Sequence, residues 1–172
     1  MAFIPSSPRI ESLENQVPVG RRFVEIQGET SFPSAPAIPR DDTIPQITEG
    51  AQIFSLTYTP KKIGNLIIIK SVAHILYNTT VNPIYALWLF GNADAVSGTI
   101  NGSVPVSNRG ASHIIHHELT VASLTPMAVE TRTGSDLGVS TIILNKLIPA
   151  AANFGPIINS WITVEEFATP PT

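Results

Sequence analysis

Short apolar stretches that alternate with polar residues recur along the chain, and prolines and glycines separate them. At 54–58 (FSLTY) the large apolar residues alternate with Ser55 and Thr57, as expected for a strand with one buried and one solvated face. Fifteen prolines and eleven glycines lie between segments rich in Ile, Val, Thr and aromatic residues. Many short strands joined by turns are typical of an all-β sandwich or barrel.

Eight segments fit this pattern, and we predict that they form an eight-stranded antiparallel jelly-roll β-sandwich, in which two sheets pack face to face. The segment 161–167 alternates less cleanly than 54–58, which favours a position near a sheet edge or an interface. The predicted strands are 22–30, 51–59, 65–75, 84–91, 112–121, 127–133, 138–144 and 157–167.

Two of the predicted strands are apolar on both faces, at 66–69 (LIII) and 84–90 (IYALWLF). In a two-layer sandwich without partners, one face of each strand would meet water. Coverage of that face by a neighbouring subunit explains the pattern, and a loop of the same chain is the alternative. We therefore predict a homo-oligomer with a subunit interface that includes Tyr85, Leu87, Leu89, Ile67 and Ile69.

Residues 1–20 differ from the rest of the chain and are predicted to form an extended N-terminal anchoring arm, ahead of a jelly-roll domain at 21–172. Three prolines in this segment exclude a long helix, although 11–16 has the composition of one or two helical turns. A disordered tail is the alternative, but regularly spaced apolar residues favour an arm that lies across another protein. The predicted anchor residues are Phe3, Ile4, Ile10, Leu13 and Val17.

Within the domain, 32–50 is predicted to be a proline-rich connector, because 32–40 carries too many prolines for a strand inside a sheet. The connector ends in DDTIPQITEG at 41–50, and a strand-like run follows at 51–60. This sequence resembles the opening of a jelly-roll domain in tailed-bacteriophage tail-fibre, head-fibre and capsid-decoration (cement) proteins. The resemblance extends from about Phe23 to Phe167, and its later matches are 65–69, 84–95, 117–124, 128–133 and 154–167.

The resemblance implies a virion structural protein that forms a homotrimer and is made in the host bacterial cytoplasm. The chain has no coiled coil or collagen-like repeat, which favours a capsid decoration or cement protein that bridges copies of the phage major capsid protein or another virion protein. The alternative is a short tail-fibre or head-fibre receptor-binding protein. Its polar loops, at 92–97 and 101–110, would then recognise a host-surface glycan.

Composition supports association with other proteins and argues against two other classes of partner. Charged residues make up 13% of the chain, against about 25% in typical soluble domains, which indicates that apolar surface is buried in an assembly. A net charge of −3 gives no basic footprint for nucleic acid. The apolar runs are far shorter than the roughly 20 residues of a membrane-spanning helix, so no membrane insertion is expected.

No motif in the sequence predicts catalysis, a metal or a cofactor. The histidine cluster HIIHHE at 113–118 matches no zinc signature, and the absence of cysteine excludes thiolate ligands. Glu165 and Glu166 are expected to point to opposite faces of one strand, unlike the facing carboxylates of a glycosidase. Asp41 and Asp42 fit an Asx-type turn. We predict that the protein is not an enzyme; a polysaccharide-cleaving enzyme is the third-ranked interpretation.

Overall fold

The computed structural model describes residues 17–39, 41, 43–78, 85–91, 94–101, 109–136, 140–146 and 158–169. All regular elements in these ranges are β-strands. They are β1 (Gly20–Ile26), β2 (Thr30–Ala35), β3 (Ala51–Tyr58), β4 (Leu66–Asn78), β5 (Tyr85–Gly91), β6 (Asp94–Asn101), β7 (Arg109–Thr120), β8 (Met127–Ser135), β9 (Ser140–Leu144) and β10 (Ser160–Phe167).

The strands form two antiparallel sheets. The larger has the order β1-β10-β4-β9-β2, with β7 also paired to β4, and the smaller has the order β3-β8-β5-β6. The long strand β4 organises the larger sheet, because β10 pairs with its first half, β9 with its last residues and β7 with nearly its whole length. The prediction of an all-β, antiparallel jelly-roll sandwich is confirmed.

The core lies between the two sheets and is filled by their inward-facing side chains. The alternation predicted at 54–58 is confirmed, since Phe54, Leu56 and Tyr58 are buried and the residues between them are exposed. Ile53 is buried beside Phe54 because the pairing of β3 with β8 shifts register there. A shift of this kind turns two successive side chains toward the same face.

The structure contains two strands that the sequence did not predict, β2 and β6. Strand β2 runs through Pro33, so the prediction of a strand-free connector over 32–50 is wrong in its first residues. Proline is accommodated because β2 is the edge strand of the larger sheet and its pairing with β9 shifts register between Phe32 and Ala35. Strand β6 takes up part of the predicted polar loop at 92–97 and forms the edge of the smaller sheet.

The irregular alternation of 161–167 favours a position near a sheet edge or an interface, but strand β10 lies inside the larger sheet. It pairs with β1 on one side and β4 on the other. Its alternation is blurred because both of its faces are largely covered: Ile162 and Val164 face the core, while Thr163 and Phe167 are buried on the opposite face. This burial is complete within one chain and does not require a second copy.

Candidate interaction surface

The four predicted interface residues with described side chains lie in the core. Ile67, Leu87 and Leu89 are 0% exposed and Ile69 is 1% exposed. A side chain with no accessible surface in one chain has none to bury against a second copy, so these residues stabilise the sandwich itself. The side chain of the fifth residue, Tyr85, lies outside the described part of the chain, although its backbone belongs to β5.

The second apolar face of β4 is also covered within the chain. Leu66 and Ile68 point away from the core and form a small separate cluster with Phe167 of β10, and all three are buried. The two-faced apolar pattern at 66–69 therefore does not require a neighbouring subunit. Cover within the same chain, the alternative weighed from the sequence, accounts for it.

One predicted anchor residue can be located. Val17 is 85% exposed, just before the start of β1. Phe3, Ile4, Ile10 and Leu13 lie outside the described residues, as does the stretch predicted to form helical turns. The exposure of Val17 leaves its side chain available to a partner.

The outer face of the larger sheet carries an apolar row, formed by Phe23, Trp161, Val72 and Ile114. Trp161 and Val72 are paired across β10 and β4, and Val72 and Ile114 across β4 and β7. The rings of Phe23 and Trp161 are in contact, with centroids 6.3 Å apart. Phe23 is 49% exposed and Ile114 is 67% exposed. The apolar row thus joins four strands, with Phe23 and Ile114 exposed at its ends and Trp161 and Val72 partly buried between them.

Polar and charged side chains border the apolar row. On one side lie Lys70 and His116, which are cross-strand partners. Beyond them Arg21 forms an ion pair with Glu165 at 3.3 Å, and His116 approaches Glu118 at 3.5 Å. On the other side His74 Nδ1 lies 2.7 Å from Ser112 Oγ. An apolar centre with a polar, charged rim is the usual arrangement of a protein–protein interface.

The histidine cluster is divided between the two faces of β7, as expected for a strand. His113 is buried in the sandwich, where burial lowers the pKa of the imidazole to about 4, although a backbone hydrogen bond involving Thr99 acts in the opposite direction. His116 lies on the exposed face with Glu118. Among the described residues no three His, Asp or Glu side chains converge on a metal-binding geometry. The described ranges also contain no helix long and apolar enough to cross a membrane.

The two carboxylate pairs have separate structural roles. Asp41 accepts a hydrogen bond from the Thr43 amide at 2.8 Å, which confirms the predicted Asx-type turn at that residue; Asp42 lies outside the described residues. Glu165 and Glu166 point to opposite faces, as predicted. Glu165 pairs with Arg21 on the outer face, whereas Glu166 is completely buried. The second pair therefore does not form a two-carboxylate catalytic site.

Glu166 fixes the turn between β3 and β4. Its carboxylate accepts hydrogen bonds from the Tyr58 hydroxyl (2.8 Å), the Asn65 amide group (2.6 Å) and the backbone amides of Lys61 (2.8 and 3.0 Å) and Lys62 (3.1 Å). Burial acts to raise the pKa of Glu166, but these hydrogen bonds outweigh it and hold the pKa below its usual value. No sequence pattern indicates this role, because Glu166 resembles any polar residue of an amphipathic strand.

A scan against protein-family models finds no match, and neither does a sequence search of curated proteins. Among solved structures, the chain is similar to Eiger TNF from S. frugiperda, with a TM-score of 0.43 and 9% identity over 87% of this chain and 96% of that chain. It is also similar to infectious bursal disease virus Gt strain (TM-score 0.38, 12% identity, 88% of this chain and 38% of that chain). A third similar structure is the infectious bursal disease virus VP2 subviral particle (TM-score 0.32, 13% identity, 88% and 39%). The chain spans about two fifths of each viral chain, and these similarities concern the arrangement of strands alone.

Proposed function

We propose that this chain is a non-enzymatic structural protein of a bacteriophage virion, and that it docks on the virion surface through the outer face of its larger sheet. The apolar row is the observation that carries the proposal. Isolated apolar residues are common on protein surfaces, but here four are contiguous across four hydrogen-bonded strands. A row of this kind marks an association surface.

The apolar row has the residue types and rigidity of a binding surface. Tryptophan and other aromatic residues contribute a large share of binding energy at protein interfaces. Burying a Phe or Ile side chain completely is worth about 1.5–3 kcal/mol. Phe23 and Ile114 are roughly half to two-thirds exposed, so their burial by a partner contributes about 1–2 kcal/mol each. Because the sheet already holds their backbones, little order is lost on binding.

Among virion roles, we propose a trimeric capsid decoration or cement protein that bridges neighbouring subunits of the major capsid protein. The low share of charged residues supports a chain that works inside an assembly. The sequence resemblance to phage decoration and fibre proteins supports the virion and the trimer. The major capsid protein is a different chain from this one, so the apolar row can contact the capsid while other surfaces of the chain hold the three copies together.

The alternative is a short tail-fibre or head-fibre protein that binds a host-surface glycan. A specific feature favours it: a polar cavity between β1 and β3 is lined by Arg22 and Lys61. The two roles predict different locations and copy numbers on the particle. They share the jelly-roll fold and the proposed virion origin.

The anchoring arm, residues 1–20, is part of the proposal. The Val19 amide donates a hydrogen bond to the Glu166 carbonyl oxygen and β1 begins at Gly20, so the sandwich already includes the last two residues of the segment. A deletion that tests the arm without damaging the sheet therefore stops at residue 16. We expect this deletion to weaken particle binding and to leave the oligomeric state unchanged.

The first experiment is to count copies of this chain per purified particle by quantitative mass spectrometry, relative to the major capsid protein. A ratio comparable to that of the capsid protein supports decoration. A ratio of a few per cent would indicate that the chain lies at a tail or vertex, and would favour the receptor-binding alternative. Absence from purified particles contradicts a virion role altogether.

A second experiment tests the apolar row directly with Ile114→Lys and its matched control Ile63→Lys. Ile63 is 60% exposed but lies in the turn between β3 and β4, away from the row. We expect Ile114→Lys to weaken binding to undecorated capsids at least tenfold, and Ile63→Lys to have no effect. Light scattering should give three times 18.4 kDa for both variants. A lower mass for Ile114→Lys alone would instead make the row the subunit interface.

A further inference from the structure

A cavity of about 440 Å³ opens between β1 and β3, where the edges of the two sheets meet. This volume lies within the range of about 300–1,000 Å³ that is usual for small-molecule sites. Its lining is mostly polar and includes Arg22, Lys61, Thr57, Thr59 and Tyr58. We propose that this cavity binds a carboxylate-bearing sugar, with Arg22 and Lys61 contacting the carboxylate and the two threonines contacting sugar hydroxyls.

The backbones of both cationic residues are held by β10. Arg22 pairs with Val164, and its carbonyl oxygen accepts a hydrogen bond from the Thr163 hydroxyl at 3.1 Å. The Lys61 amide donates to the buried Glu166 carboxylate. Neither side chain forms an ion pair within the described part of the chain. Because their backbones are held in place, the charged side chains of Arg22 and Lys61 are well placed to bind an external anion.

At the edge of the cavity, Gly20 allows Tyr58 to pack directly against the backbone of β1. A Cβ atom at this position would lie 2.2 Å from the Tyr58 hydroxyl oxygen. Tyr58 cannot move aside without giving up its 2.8 Å hydrogen bond to Glu166. A side chain at position 20 would therefore displace a tyrosine that helps to line the cavity, and glycine avoids this clash.

The balance of charge around the cavity is positive. Arg21, Arg22 and Lys61 line it. Glu165 neutralises Arg21 on the outer face, and the buried charge of Glu166 is spread over four hydrogen-bond donors. Lys62 adds a further positive charge at the same turn. Arg22 and Lys61 thus remain to attract an anion.

The chemistry of the lining favours an acidic sugar over a bare anion. Arginine binds a carboxylate through two parallel hydrogen bonds, and lysine adds a point charge. Threonine hydroxyls both donate and accept, as sugar hydroxyls do. A phosphate ion would satisfy the two cations and leave Thr57 and Thr59 unused, whereas an acidic sugar uses both sets of groups.

The test is calorimetric titration of the full chain with trigalacturonate, its neutral methyl ester, sialyllactose and inorganic phosphate. We expect at least one of the two acidic saccharides to bind with a dissociation constant of about 1 mM or tighter, and binding to weaken as salt rises. The methyl ester should not bind detectably. No binding of either acidic saccharide overturns the proposal. Equally tight binding of the methyl ester overturns recognition of the carboxylate, and equally tight binding of phosphate overturns the assignment to a sugar.

Variants locate the site. Arg22→Gln and Lys61→Gln should each weaken acidic-saccharide binding about tenfold, because each removes a charge-assisted hydrogen bond. Lys61→Gln keeps the backbone amide that bonds Glu166, so its unfolding midpoint should match that of the natural chain. Lys70→Gln, an exposed lysine on the outer face of β4, is the control and should bind normally. If Arg22→Gln and Lys61→Gln bind as well as Lys70→Gln, the sugar does not bind in this cavity. The assay uses purified protein and does not depend on where the chain lies on a virion.

Discussion

Replacing Glu166 by glutamine tests whether a buried carboxylate stabilises the sandwich. Glutamine has the same shape but no charge, so each of the four donors that face Glu166 loses a charged acceptor. A hydrogen bond to a charged group contributes about 1.5–3 kcal/mol, against about 0.5–1.5 kcal/mol for a neutral one. The loss is therefore about 1 kcal/mol for each donor, and the easier burial of an uncharged amide offsets part of it.

We expect Glu166→Gln to lower the free energy of unfolding by about 2–4 kcal/mol. For a chain of this size, such a change lowers the unfolding midpoint by about 5–15 °C. Urea unfolding followed by tryptophan fluorescence measures the difference, and an unchanged slope against urea would show that only stability has changed. Tyr58→Phe removes one of the four donors and should lower the free energy of unfolding by about 1.5–3 kcal/mol.

The adjacent residue supplies the control. Glu165→Gln removes a partly exposed carboxylate that pairs with Arg21, whose side chain is 59% exposed, and should lower the free energy of unfolding by less than about 1 kcal/mol. Because Tyr58 and Glu166 share a hydrogen bond, the double variant should cost less than the sum of the two single changes. If Glu166→Gln is no more destabilising than Glu165→Gln, the hydrogen-bonded carboxylate does not stabilise the turn and the reasoning is wrong.

Three further predictions concern other parts of the sandwich. Because the pKa of His113 is lowered from 6.5 to about 4 in the folded chain, the unfolded chain binds the extra proton first as the pH falls. Stability should therefore be lost from about pH 6.5 downward, by about 3 kcal/mol at pH 4, and His113→Gln should flatten this part of the curve of unfolding free energy against pH. A Cβ atom at Gly98 would lie 2.2 Å from the Trp88 ring, so Gly98→Ala should cost about 1–3 kcal/mol in urea unfolding, and an unchanged midpoint would contradict this packing. Asn145 has a φ of 59°, and its side-chain amide donates hydrogen bonds to the Ile26 and Gly28 carbonyl oxygens at 2.7 Å. We therefore expect Asn145→Ala to lower the free energy of unfolding by about 3 kcal/mol, measured by thermal unfolding.

The fold was predictable because the alternation of large and small residues directly reflects burial. Phe54, Leu56 and Tyr58 face the core as their spacing indicates. The burial of a second apolar face was not predictable, since it depends on residues that are distant in the sequence. Ile68 is covered beside Phe167, 99 positions later in the chain, and the sequence cannot distinguish such cover from a second subunit.

The candidate surface could not be predicted from the sequence either, for a related reason. Phe23, Val72, Ile114 and Trp161 come from four separate strands, and only the register of β1, β10, β4 and β7 brings them together. Each one looks like an ordinary strand residue in its own segment. Local features could be predicted: the Asx-type turn at Asp41 depends on residues that are two positions apart.

The pairing of β1 with β10 has a consequence for biosynthesis. The hydroxyl of Thr163 bonds the carbonyl oxygen of Arg22, a residue 141 positions earlier, and Glu166 reaches the turn after β3 only once β10 has been made. During translation β1 therefore emerges from the ribosome long before its partner strand β10, and the larger sheet can close only near the end of synthesis. Long-range pairing of this kind slows folding, and the waiting strands expose unpaired edges that favour aggregation. A nascent chain released before β10 should be captured by chaperones, whereas one released after Phe167 should fold.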